Sequence, residues 1–106
     1  MPADIQRLVK EFKEGLAQLY GSGLQAVYIY GSYARGDYSA GSDVDVMIVL
    51  EHYKSYWEEL GRSAQLASDL SLKYNLTISR VYMTQQEWQN ADTPLLRNIH
   101  AEGQAA

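Results

Sequence analysis

Cysteine is absent from the chain. That excludes disulfides and thiolate metal sites, and it agrees with a reducing, cytoplasmic setting. No apolar run approaches the length of a membrane span, and no basic-then-apolar leader opens the chain, so no membrane association is expected. Basic residues are also scarce. Nine Lys and Arg stand against thirteen Asp and Glu, a net charge of −4. This argues against broad, charge-driven binding to nucleic acid, which needs a basic surface. There are only two prolines, and no repeat, low-complexity tract or linker divides the sequence. With 106 residues, 46% of them hydrophobic, the expectation is one domain over 1–106 that buries enough apolar surface to fold alone.

What is present has clear periodicity. Ile5, Leu8, Val9, Phe12, Leu16 and Leu19 recur at three- and four-residue steps, which predicts an amphipathic helix ended by Gly21-Ser22-Gly23. Leu24 to Tyr30 reads as a strand, and residues 31–42 hold at most one turn of helix. Asp43 to Leu50 reads as a second strand. Tyr56, Trp57, Leu60, Ala64, Ala67, Leu70 and Tyr74 predict one long helix over about 53–74, with Asn75 as its C-cap. Leu76 to Met83 is a third strand. Thr84 and Glu87 predict a capping box for a short helix with Trp88, and Thr93-Pro94 opens a last helix with Leu95, Leu96 and Ile99 inward. The fold class is therefore α/β, with three main strands. The link between the first two strands is too short for a crossover, so the sheet is expected to be mixed.

The informative stretch is "YGSYARGDYSAGSDVDVMIVL", residues 30–50. Side chains alternate along a strand, so Asp43 and Asp45 share a face. Val46, Ile48 and Leu50 on one face, with Met47 and Val49 on the other, mark the strand as central. Two adjacent carboxylates at its leading end repel unless a cation neutralises them, and a hard divalent ion such as Mg²⁺ suits oxygen ligands. An isolated Asp-x-Asp is more often a strand boundary. Here, however, Gly31-Ser32 follows the preceding strand, and its backbone N–H groups and hydroxyl suit phosphate oxygens. The combination describes a nucleoside triphosphate site. Arg35 reads equally as a phosphate contact and as a surface arginine paired with Asp37.

Gly31-Ser32, Ala34-Arg35-Gly36 and Ser42-Asp43-Val44-Asp45 resemble the signature of the minimal nucleotidyltransferases, within the DNA polymerase β-like superfamily. The later "TPLLRNIHAEG" resembles the tail of many such proteins. The resemblance implies a small mixed-sheet nucleotidyltransferase fold and transfer of AMP from ATP to a hydroxyl. It implies that Asp43 and Asp45 are catalytic carboxylates that bind Mg²⁺, and that Gly31 and Ser32, with Arg35 as a further candidate, bind the nucleotide. It also implies a partner: a HEPN-domain ribonuclease toxin, blocked by AMP added to a tyrosine, with the small enzyme as its antitoxin.

The chain departs from that pattern at one point. Many superfamily members carry a third carboxylate on the next strand, whereas "LTISRVYM" offers only Thr77, Ser79 and Arg80. Asp37 is the nearest substitute. This keeps a second reading open, a nucleotide-binding module that inhibits its partner by stoichiometric binding. A third is transfer to a small molecule such as an aminoglycoside. The chain has room for a catalytic core without an acceptor-binding domain, so a partner chain or self-association into a homo-oligomer is expected to supply that surface. Trp57 and Trp88 are expected to anchor helices on the sheet, Tyr33 and Tyr38 to pack within the loop, and His52 and His100 to lie on the surface. Arg80 would reach phosphate if its strand borders the aspartates, and otherwise reads as a strand-end charge.

Overall fold

Helix α1 (Ala3–Tyr20) forms where the apolar period predicts it, and buries Ile5, Leu8, Val9, Phe12 and Leu16. Leu19, one position off that stripe, is exposed. A 3-10 turn over Gly21–Gly23 leads into strand β1 (Leu24–Tyr30), and a single helical turn, α2 (Ser32–Arg35), follows. Strand β2 is Val44–Leu50, strand β3 is Ile78–Thr84, and α3 (Tyr56–Arg62) and α4 (Ala64–Tyr74) lie between them. Helices α5 (Gln85–Asn90) and α6 (Pro94–Glu102) precede a short fourth strand, β4 (Gln104–Ala105). These elements come from a computed structural model that describes residues 1–106. No helix is long and apolar enough to cross a membrane.

The sheet is mixed, as its short first connection requires, with order β3-β2-β1-β4. Strands β1 and β2 are antiparallel, with Tyr30 opposite Asp45. Strands β2 and β3 are parallel, joined through α3 and α4, with Asp45 beside Ser79 and Val46 beside Arg80. The fourth strand, absent from the three-strand expectation, pairs Gln104 and Ala105 with Ile29 and Tyr28.

Strand β2 is central and covered on both sides. Val44, Val46, Ile48 and Leu50 join α1, α4 and Tyr82 in the larger core, while Met47 and Val49 meet Leu96 and Ile99 of α6. Burial of each such side chain stabilises the fold by about 1.5–3 kcal/mol. Leu95 of α6 stays on the outside. The expected caps are present. Thr84 and Glu87 form a reciprocal capping box, and the Thr93 side chain accepts from the Leu96 N–H at 3.2 Å with Pro94 in the first turn. Asn75 ends α4 in the left-handed conformation.

The long helix predicted over 53–74 is two helices, bent at Ser63. Leu60, Ala67 and Leu70 lie in or against the core as the apolar pattern predicts, whereas Ala64 is exposed and two polar residues are buried. Glu59 is 4% exposed and Ser63 fully buried, while Trp57 is 80% exposed and does not anchor the helix. The reason is a buried polar network. Ser63 Oγ donates to the Glu59 carbonyl at 3.2 Å and accepts from Tyr82 at 2.7 Å and Arg80 Nη1 at 2.6 Å. Arg80 also donates to the Leu60 carbonyl at 2.7 Å. The Glu59 carboxylate accepts from Tyr20 at 3.0 Å and pairs with Arg62 at 3.1 Å. Burial, then the Tyr82 hydroxyl, pushes the Tyr20 phenol up and keeps it a donor. A serine in this seat is retained because its partners are buried with it.

Ser63→Ala should therefore destabilise the fold by about 1–3 kcal/mol, the cost of stranding a buried donor. Urea denaturation should show a lower midpoint with an unchanged slope.

Candidate active site

The site is built at the end of the sheet where β1 finishes and β2 begins. After Tyr30 the chain must turn sharply, and Gly31 does this at φ +75°. A side chain there is excluded twice. The conformation is strained for L residues, and a Cβ would collide with Asp45 Oδ2 and lie 3.1 Å from its carboxyl carbon. The Asp45 carboxylate thus occupies the space left by the missing Cβ. This fixes the Gly-Ser turn and the Asp-x-Asp strand as one unit.

Helix α2 is a single turn. Arg35 N donates to Gly31 O at 3.0 Å, and Gly36 N donates to Ser32 O at 2.9 Å. The N–H groups of such a first turn have no acceptor within the helix. Tyr33 is buried and stacks on Tyr38 at 4.7 Å between ring centroids, so these two tyrosines pack the loop as expected. Ser39 and Ser42 close the remaining turn, where Ser39 N donates to Ser42 Oγ at 2.9 Å. Val44 N then donates to Thr77 O at 2.9 Å and begins the parallel pairing.

Register decides what surrounds the carboxylate. Asp45 faces the α6 side with Met47 and Val49, flanked in the sheet by Tyr30 on β1 and Ser79 on β3. Arg80 points to the opposite face, into the Ser63 network, and is excluded from the phosphates. Neither Asp43 nor Asp45 takes part in an ion pair. Burial, then the charge of Asp43, pushes the Asp45 carboxyl up, while Arg35 acts in the opposite direction. Burial and the Asp45 charge also push the Tyr30 phenol up to about 12, so it stays neutral.

Two hard oxygen donors with surplus negative charge, one seated in a glycine cradle, fit Mg²⁺. Asp43 and Asp45 would hold it. No third His, Cys, Asp or Glu joins them. Asp37 is not a substitute, because it accepts from Arg35 Nε at 3.1 Å. Arg35 Nη1 pairs in turn with Glu102 at 3.0 Å. Of the two readings of Arg35, the pairing with Asp37 is present, and the guanidinium also acts electrostatically on Asp45. Spacing gave no hint of Glu102, which reaches the site from 67 residues away. Nor did it show that Ser79 takes the β3 position beside Asp45. A groove of about 840 Å³ opens at the same end of the sheet, but on the α1/α4 side, lined by Ile5, Tyr38 and Leu72 and not by the carboxylates.

A glycine turn packed against Asp45 of a central strand, with Asp43 just before it, forms a candidate site for a metal-bound phosphate. The family model of the nucleotidyltransferase domain matches residues 9–100, and the chain belongs to that family. A Methanocaldococcus jannaschii protein named "putative protein adenylyltransferase" is 38% identical over 78 residues, covering 74% of this chain and 78% of that one. Among solved structures, a toxin–antitoxin with AMP-PNP superposes at a TM-score of 0.61 and 20% identity, over 89% of this chain and 68% of that one. A complex of tri-AMPylated Shewanella oneidensis HEPN toxin with MNT antitoxin gives a TM-score of 0.53 at 17% identity, over 91% and 69% of the two chains. The fold is that of the minimal nucleotidyltransferases.

Two substitutions test this geometry in metal-free buffer. Gly31→Ala should destabilise the fold by about 1–3 kcal/mol from backbone strain and the carboxylate clash. Asp45→Ala in the same chain should recover the clash component but not the strain, as read by thermal unfolding. The second is Asp45→Asn. A carboxyl whose folded pKa is raised makes the native state hold its proton longer, so stability falls as pH rises from the unfolded value through the folded one. Asp45→Asn should therefore raise Tm at neutral pH in EDTA, and the gain should vanish once acid protonates the wild-type carboxyl in both states.

Proposed function

We propose that this protein is an Mg²⁺-dependent adenylyltransferase that moves AMP from ATP to a tyrosine hydroxyl of a HEPN-domain ribonuclease toxin, and so acts as its antitoxin. The observation that carries this reading is the seating of the Asp45 carboxylate against the bare Cα of Gly31. It couples a phosphate-binding turn to a metal-binding pair. Membership of the nucleotidyltransferase domain family supports the chemistry. The adenylyltransferase name of the archaeal relative and the AMPylated toxin in a structural neighbour's complex support the protein acceptor.

The residues divide the work. The Gly31-Ser32 turn and the first N–H groups of α2 bind the triphosphate tail, and Arg35 adds a cationic contact. Asp43 and Asp45 hold Mg²⁺, which supplies charge neutralisation at the phosphates when bound. Tyr30 and Ser79 border Asp45 with uncharged groups, so the carboxylates keep their oxygens for the cation. The acceptor oxygen bonds to the α-phosphorus, the bond from that phosphorus to the bridging oxygen breaks, and pyrophosphate leaves. The acceptor's proton is released to solvent in this scheme, in which the β3 neighbour of Asp45 is a serine and supplies no further carboxylate. AMP on the toxin would block RNA by charge repulsion and bulk. The net charge of −4 suits docking to a basic RNA-binding partner. A cytoplasmic location fits the cysteine-free composition.

Ser79 also favours a second reading, that of a binder that inhibits without chemistry. Labelled ATP, Mg²⁺ and the co-encoded partner, followed by intact-mass analysis, separates the two. The expected result is a partner heavier by whole AMP units with the wild-type protein, and none with Asp43→Asn/Asp45→Asn. Transfer by the double variant would refute the metal assignment. A stable but unmodified complex with both proteins would establish the binder.

A further inference from the structure

The "TPLLRNIHAEG" tail is unexplained by the site as described so far. Most of it is a helix anchor, since Leu96 and Ile99 fill the smaller core. Its last two residues do something else. Gly103 lies where a Cβ would be 2.5 Å from the Ile99 carbonyl oxygen, so only glycine permits this close exit from α6. The exit turns the chain across α2. Glu102 Oε1 accepts from Arg35 Nη1 at 3.0 Å, and Gln104 Nε2 donates to the Ala34 carbonyl at 2.9 Å. Gln104 and Ala105 then continue as β4 beside β1, the strand that delivers Gly31.

Arg35 is consequently held at two corners of its guanidinium, by Asp37 on Nε and Glu102 on Nη1. Nη2 is left free of both. A long side chain that is 45% exposed would otherwise sample many rotamers, and ordering it costs entropy at each binding event. A guanidinium fixed beforehand by two carboxylates offers its remaining N–H groups in one orientation.

We propose that Glu102 is a positioning residue for nucleotide binding: it fastens Arg35 beside the Gly-Ser turn so that Nη2 is presented to the triphosphate. This rests on the reading that Arg35 contacts phosphate. Neither the family match nor the Gly-Ser and Asp-x-Asp motifs assign a role to Glu102. Its counterpart Asp37 is local, two residues from Arg35, and 61% exposed, whereas Glu102 is 28% exposed and carried on an anchored helix. Glu102 is therefore the fixed point of the pair.

The test is a double-mutant cycle on binding of a fluorescent ATP analogue with Mg²⁺. Arg35→Ala and Glu102→Ala should each weaken binding by about fivefold, and the combined variant should be no weaker than Arg35→Ala alone. Glu102→Asp should recover part of the loss, and Tm should stay close to wild type because a solvent-accessible ion pair contributes little stability. If Glu102 merely fastens the tail, its loss will persist in the Arg35→Ala background and appear in Tm, which overturns the proposal. Tighter binding by Glu102→Ala also overturns it, by showing that Glu102 competes with phosphate. Failure of wild-type protein to bind the Mg²⁺–nucleotide, or undiminished binding by Asp43→Asn/Asp45→Asn, would sink the underlying site reading. An effect of Arg35→Ala with none from Glu102→Ala would remove only the positioning role.

Discussion

One contact governs the active end of this fold: the Asp45 carboxylate lies where Gly31 has no side chain. The contact fixes three things together. It sets the turn at the end of β1, because a Cβ there would be strained at φ +75° and would displace the carboxylate. It seats the carboxylate at the rim of a buried sheet, where its charge is poorly solvated. It also fixes the distance between the Gly-Ser turn and the Asp-x-Asp segment, which belong to different strands. The antiparallel register of β1 and β2, with Tyr30 opposite Asp45, is the larger structure that makes the contact possible.

That arrangement concentrates negative charge. Asp37 and Glu102 both pair with the Arg35 guanidinium, which also acts on Asp45, while Asp43 adds its own charge beside Asp45. A bare triphosphate meets repulsion there, whereas a metal-complexed one brings its own counter-charge. The same crowding explains why the Asp45 carboxylate is a burden to the fold: it has no ion-pair partner, and Arg35 offsets its charge only in part. The opposite face of the sheet follows the reverse policy. There Glu59 has Arg62 and Tyr20, and Arg80 has Ser63 and the Leu60 carbonyl, so its polar groups are paired within the protein. Unpaired charge on one face and paired charge on the other separate function from stability.

Much of this was legible from local pattern. The α1 stripe, the two-faced apolar run of β2, the Thr84 and Thr93 caps, and the Gly-Ser and Asp-x-Asp motifs each depend on neighbours a few residues apart. What escaped depends on partners far along the chain. Glu59 and Ser63 are buried although apolar periodicity gives them no inward seat, Ala64 is left exposed, and only Tyr20, Arg62, Arg80 and Tyr82 make those seats habitable. Trp57 consequently turns outward. Strand β4 has two residues, too few for any alternation to register, and exists because β1 offers an edge. The link between Arg35 and Glu102 has no spacing rule behind it.

The third strand shows how one register choice assigns chemistry. Thr77, Ser79 and Arg80 are all polar, and composition cannot rank them. The parallel pairing of Val44 with Ile78 puts Ser79 in line with Asp45 and sends Arg80 to the other side. A shift by one residue would have placed a cation against the carboxylates, quenching the charge that suits them to a metal, and would have stripped Ser63 of its buried partner. The apolar alternation of β3, with Ile78 and Tyr82 in the larger core, resists that shift. The core on one face thus keeps a cation away from Asp45 and leaves an uncharged hydroxyl beside it. The surplus negative charge at the pair is in this sense a consequence of hydrophobic packing on the far side of the sheet.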